Sequence, residues 1–154
     1  PSSPAARRRL RSFALGDAYY GQAGREDFDQ EFTVKALDQW QSFLRDYPGH
    51  WRTADAERRV AAARSRLATK LLRTGTLYVK LKLFEPARVY FLKVEREYSD
   101  TPAYPEARLG LALADAGQGQ REQAIEELKR IEHLYPGQRV AERAAKARKH
   151  LERR

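Results

Sequence analysis

The chain has 154 residues, 42% of them apolar and 33% charged, enough to bury a core as one domain or a short array. It contains no cysteine, which excludes disulfides, thiolate metal sites and cysteine nucleophiles without fixing a compartment. No apolar run approaches the roughly 20 residues that span a bilayer, no secretory signal is visible, and the net charge of +9 points to an anionic partner or to solvated basic ends.

In chain order, LRSFALGDAYYGQAG belongs to a first helix over about 5–22, with Gly16 and Tyr19 or Tyr20 as its packing residues. GREDFDQEF makes a loop. Its Glu26, Asp27 and Asp29 lack the glycine and closing glutamate of a calcium loop. They are placed to cap a helix that begins near Phe32, where negative charge is favourable. That second helix, about 32–47, carries Trp40, Phe43, Leu44 and Tyr47 at i, i+3, i+4 and i+7, and Pro48-Gly49 stops it. Trp51 follows the stop. Standing beside Arg52, it is a candidate interface anchor.

TADAERRVAAARSRLATKLLR has neither Pro nor Gly and begins a long helix over 53–82. Gly75 within it costs about 1 kcal/mol relative to alanine, so close helix packing is the reason to expect for it. Pro86 and Pro105 sit in the first turn of helices at 86–98 and 105–117. Gly117 lies near the C-cap of the second of these. DAGQGQ reads as an inter-helix turn, since it has neither phosphate-loop form. A helix at 121–135 offers Glu126 and Arg130 as an exposed i, i+4 pair. The last helix, 138–153, covers the open end of a stack. There is no strand signal.

The helix endings recur. Eleven residues before Tyr47, Tyr98 and Tyr135 stand Ala36, Ala87 and Ala124. Seven before stand Trp40, Phe91 and Leu128, and four before stand Phe43, Val94 and Ile131. Small, large, apolar, then Tyr-Pro is the second helix of a tetratricopeptide (TPR) unit. The first helix of each unit supplies Gly16, then Leu71, Gly75 and Tyr78, then ARLGLALADAG. The tyrosines are 51 and 37 residues apart, against a period of about 34. The excess goes into the long helix and the loop before Phe32. The expected fold is therefore all-α: a right-handed TPR-like stack of helical hairpins in a single domain, 1–154. Its repeats are about 5–48, 53–99 and 104–136, followed by the terminal helix.

Reactive chemistry is not expected. His50, His133 and His150 have no partner at metal-ligand spacing, so no catalytic, cofactor or metal site is assigned. Much of the positive charge lies in RRRLR (Arg7 to Arg11) and KARKHLERR (Lys146 to Arg154). Solvated helix ends account for these runs first and contact with an anionic membrane surface second. Nucleic acid is not expected, because the charge is not spread along a groove.

Departures from the regular repeat carry a resemblance. These are Asp29-Gln30 and Thr33 leading into an Ala-rich helix, FLRDYP, and Ala54-Asp55-Ala56 with Arg66-Leu67-Ala68 in one long helix. Leu77-Tyr78 before a short basic turn and EYSDTPAYPEA complete the set. Over roughly 28–136 the chain resembles the BamD-like family (also called YfiO or ComL) of outer-membrane β-barrel assembly lipoproteins. Ser99 stands where that family usually has proline.

The resemblance implies a non-enzymatic scaffold on the periplasmic face of the outer membrane. Its partners are a POTRA domain of the barrel-forming subunit BamA, other assembly subunits and unfolded outer-membrane proteins. Family members carry about five repeats behind a signal peptide and a lipidated cysteine. Three repeats are readable here, so the lipid anchor and the earlier repeats are expected outside this chain. The alternative is a generic TPR interaction module of another bacterial assembly, in the cytoplasm.

Stacked pairs leave a concave face lined by the first helices. In the middle repeat the consensus turns Thr69, Leu72, Thr76, Val79 and Lys80 toward it, with Arg73 beside them. The basic turn through Lys82 favours acidic partner segments. Together with Trp51 and Arg52 these form the candidate partner-binding set. The convex edge and the inter-repeat loops are the other docking surfaces. The register makes Ala87→Leu an overpacking change, expected to cost about 1–3 kcal/mol. An unchanged melting temperature would contradict it.

Overall fold

The computed structural model describes residues 3–23 and 30–154, and among them there are seven helices and no strand. They are α1 (Pro4–Ala23), α2 (Gln30–Asp46), α3 (Thr53–Lys80), α4 (Phe84–Glu97), α5 (Ala103–Gly117), α6 (Arg121–Leu134) and α7 (Arg139–Glu152). Glu26, Asp27 and Asp29, expected to cap α2, lie outside the described residues. The chain forms two compact units, Pro1–Leu67 and Ala68–Arg154.

In the first unit α1 packs on α2 around Phe13, Ala36, Trp40, Phe43, Ala56 and Ala63. The close approach depends on Gly16. A Cβ there would lie 2.3 Å from Trp40 Nε1, far inside van der Waals contact. Tyr20 is tilted against Trp40 at 5.4 Å, and Phe13 meets Phe43 edge-on at 5.4 Å.

In the second unit the end of α3 packs with α4, α4 on α5, α5 on α6 and α6 on α7. Phe91 of α4 is pinched between two glycines: a Cβ at Gly75 would stand 2.7 Å from its ring, and one at Gly110 2.4 Å. In the next hairpin the large residue shrinks to Leu128, and Ala112 occupies the place that Gly75 holds before Ala87. All three repeat alanines, Ala36, Ala87 and Ala124, are completely buried.

The repeated tyrosines end their helices in one way. Tyr47, Tyr98 and Tyr135 donate their backbone N–H to the carbonyls of Phe43, Val94 and Ile131, and their own carbonyls accept from His50, Thr101 and Gln138. Gly49 (φ 81°) and Gly137 (φ 76°) supply the left-handed residue that a Tyr-Pro-Gly turn needs. The middle turn has Ser99-Asp100 instead and no left-handed residue. Thr101 Oγ1 closes it by donating to Tyr98 O at 2.7 Å. Each tyrosine ring is half-buried against its own core cluster.

Several boundaries differ from expectation. α3 stops at Lys80 rather than Lys82, because Lys82 is left-handed (φ 59°). There Lys82 N donates to Val79 O and Leu83 N to Tyr78 O, the two bonds of a Schellman cap. The end of α5 repeats the motif with Gly119 (φ 85°): Gly119 N bonds Ala116 O and Gln120 N bonds Asp115 O. Gly119 is therefore the left-handed glycine of the cap, and Gly117, the last residue of α5, adjoins the C-cap Gln118 as expected. Gly117 admits Phe84, whose ring would lie 2.3 Å from a Cβ at that position. Helices α4 and α5 begin two residues before Pro86 and Pro105, which still fall in the first turn, where a missing N–H breaks no helical bond.

The sign of one substitution tests this packing. Gly75→Ala raises helix propensity, yet its methyl group overlaps Phe91. It is expected to lower stability by about 1–3 kcal/mol in urea unfolding, whereas a gain of about 1 kcal/mol would show that propensity alone governs the site.

Candidate functional site: a groove between α3, α5 and α7

Within the second unit the last turns of α3, the middle of α5 and Arg143 of α7 enclose an open groove of about 430 Å³. Its floor is apolar: Leu72 and Val79 from α3, Phe91 from α4, and Leu109, Gly110 and Leu113 from α5. The glycines that let Phe91 sit between the helices also place its ring at the floor. Thr76 adds little polarity, since its hydroxyl donates to Leu72 O at 2.8 Å.

The rim is charged and uneven. On one side Arg143 Nη1 pairs with Glu106 Oε2 at 2.5 Å, tying α7 to α5. On the other, Arg73 and Lys80 stand seven residues apart on one face of α3, both exposed. Neither has an ion-pair or hydrogen-bond partner among the described residues. Leu77, 55% exposed, stands between them as apolar surface left open to solvent.

The structure thus brings together five of the sequence-predicted residues: Leu72, Arg73, Thr76, Val79 and Lys80. Thr69 is exposed one turn earlier on α3, and Lys82 is exposed in the turn beyond it, both outside the groove lining. Trp51 and Arg52 belong to the first unit. Sequence reasoning missed the α5 floor and the Glu106–Arg143 pair. Gly110 carried a signal, because a glycine inside a helix asks for a close neighbour. Arg143 carried none, because the terminal helix follows no repeat consensus.

α7 is held by Val140 and Ala144, and by Arg148, which grips Glu132 with Nε at 2.6 Å and Nη2 at 3.0 Å. These hydrogen bonds keep the Glu132 carboxyl below the usual glutamate range, against the opposing effect of partial burial. Among the described residues no cluster of His, Asp and Glu is arranged to hold a metal ion, and no helix is long and apolar enough to cross a membrane.

Nested helix pairs that leave an apolar, cation-rimmed groove define a helical-repeat protein of the interaction class. Comparison with known families agrees: a tetratricopeptide-repeat model matches residues 106–137, and the model of the outer membrane lipoprotein family YfiO matches residues 8–116. The match covers most of the chain, which belongs to the YfiO outer membrane lipoprotein family. No curated protein matches it.

A second, polar seam runs between α4, α5 and α6. Arg88 pairs with the buried Asp115, and Arg108 reaches Glu127 at 2.5 Å. Arg130 also joins Glu127, at 3.2 Å, rather than the expected Glu126, because Glu127 faces the seam and is already ordered by Arg108. Burial raises the Asp115 carboxyl above its ordinary value, and the Arg88 cation opposes that rise. Removing the cation strands a buried acid. Arg88→Gln is expected to cost about 1–3 kcal/mol at pH 7. The cost should shrink as pH falls through the raised value toward the ordinary aspartate range, because a protonated Asp115 needs no cation. Urea unfolding at pH 7 and at about pH 3.5, below the ordinary aspartate value, checks this, and equal losses at both would contradict it.

Proposed function

We propose that this chain is a non-enzymatic adaptor of the outer-membrane β-barrel assembly machinery, a BamD-like subunit acting at the periplasmic face of the outer membrane. Family membership supports the setting. One observation carries the mechanism: two cations with no partner among the described residues, Arg73 and Lys80, flank a preformed apolar groove. A partner segment that lays apolar side chains on Phe91, Leu109 and Leu113 and offers carboxylates to the rim gains both burial and charge pairing.

On this reading the partner is a POTRA domain of the barrel-forming subunit, with other assembly subunits and unfolded barrel precursors as further clients. A lipid anchor outside this chain would keep the adaptor at the membrane. The three hairpins and the terminal helix would serve one function as a single domain. No cofactor enters the proposal.

Binding of a purified POTRA array to the 154-residue chain, followed by calorimetry, tests it. Arg73→Glu with Lys80→Glu is expected to weaken binding at least tenfold, about 1.4 kcal/mol, with the melting temperature kept. Unchanged affinity in the double variant, or no binding by the native chain, would overturn the reading.

A further inference from the structure

The first unit carries a surface feature that the groove does not explain. Trp51, in the loop between α2 and α3, is 76% exposed, the most exposed large apolar side chain among the described residues. It is nevertheless fixed. Its ring stacks on His50 at 5.6 Å and 28°, His50 meets the buried Phe43 edge-on at 5.2 Å, and His50 Nδ1 accepts the Arg52 backbone N–H at 3.1 Å.

Arg52 is fixed as well. Its guanidinium carbon lies 4.1 Å from the centroid of Phe13 and 5.3 Å from that of Trp51. Arg59 shares the Phe13 ring at 4.6 Å, but Asp17 neutralises it, with Nε to Oδ1 at 2.6 Å. Arg52 has no such carboxylate among the described residues, and its Nε is covered without a hydrogen-bond partner. Only the outer Nη edge is left to bond. A half-buried cation oriented by an aromatic plane, beside an exposed tryptophan, has the composition and geometry of an interface hot spot.

We propose that Trp51 and Arg52 form a second docking point, which receives a protein segment presenting a carboxylate next to an apolar side chain. The carboxylate takes the Nη edge of Arg52, and the apolar group covers the Trp51 plate. A planar guanidinium held in one orientation suits a bidentate carboxylate. Mobile lipid phosphates need only exposed charge, so an anionic bilayer is the weaker match.

Trp51 also supplies the readout, since the only other tryptophan, Trp40, is buried. The 154-residue chain is screened against an array of twelve-residue peptides that carry one Leu or Phe and two Glu at varied spacing, with Gln versions as controls. Hits are then titrated by tryptophan fluorescence. The expected result is a blue shift with Glu peptides that is lost with their Gln versions. Trp51→Ala, followed by calorimetry, and Arg52→Lys should each weaken binding at least tenfold with circular dichroism unchanged. Arg73→Glu should leave this binding as it is, which separates the site from the groove. The proposal is overturned if no Glu peptide binds, if Arg52→Lys binds like the native chain, or if Arg73→Glu abolishes the signal. It is equally overturned if vesicles of phosphatidylglycerol shift Trp51 while the peptides do not. Should Arg52→Lys unfold, Trp51→Ala, at a solvent-exposed position, decides.

Discussion

The structure depends on one steric exchange: a missing side chain on one helix facing a large ring on the next. Gly16 faces Trp40, and Gly75 and Gly110 face Phe91. Where the ring becomes Leu128, the glycine becomes Ala112. Each glycine costs its helix about 1 kcal/mol in propensity, so the pair facing Phe91 costs about 2 kcal/mol, against roughly 1.5–3 kcal/mol returned by burial of one ring. The exchange is favourable only if the ring fills the gap, so the small and large positions have to be matched in size.

From that exchange the rest follows in the second unit. Phe91, inserted between α3 and α5, becomes part of an apolar floor, and the first helices of successive hairpins present one face to the groove above it. Inside the seams charges are paired: Arg88 with Asp115, Arg108 with Glu127, Arg148 with Glu132. Among the described residues, Arg73 and Lys80 at the groove rim and Arg52 in the first unit have no such partner. A chain that pairs its charges where helices meet and leaves cations beside apolar surface elsewhere breaks a local rule where a partner would satisfy it.

Most of the fold was legible because the repeat has a length scale. The Ala–aromatic–Tyr spacing located α2, α4 and α6, and the turn chemistry of Pro48-Gly49 and Pro136-Gly137 set their ends. Errors fell where a cap or a long-range neighbour decides. Lys82 adopts a left-handed conformation that the sequence pattern of a lysine does not advertise, so α3 appeared longer than it is. Gly117 does lie beside the cap of α5, but its packing against the ring of Phe84, more than thirty residues earlier, could not be read from spacing. Glu126 looked like the partner of Arg130 because helix spacing alone cannot show that Glu127 faces another helix. Half of the groove was readable from α3, whose consensus names the exposed face. The half from α5 and α7 required knowing which helices lie side by side.

A double-mutant cycle on Gly75 and Phe91 tests the steric exchange most directly. Combining Gly75→Ala with Phe91→Leu installs the Ala–Leu pairing that Ala112 and Leu128 already use. Urea unfolding should show the double variant losing less than the two single losses together, with a coupling of about 1 kcal/mol or more. Additivity to within about 0.3–0.5 kcal/mol would contradict the account, because glycine and ring would then not be matched to each other.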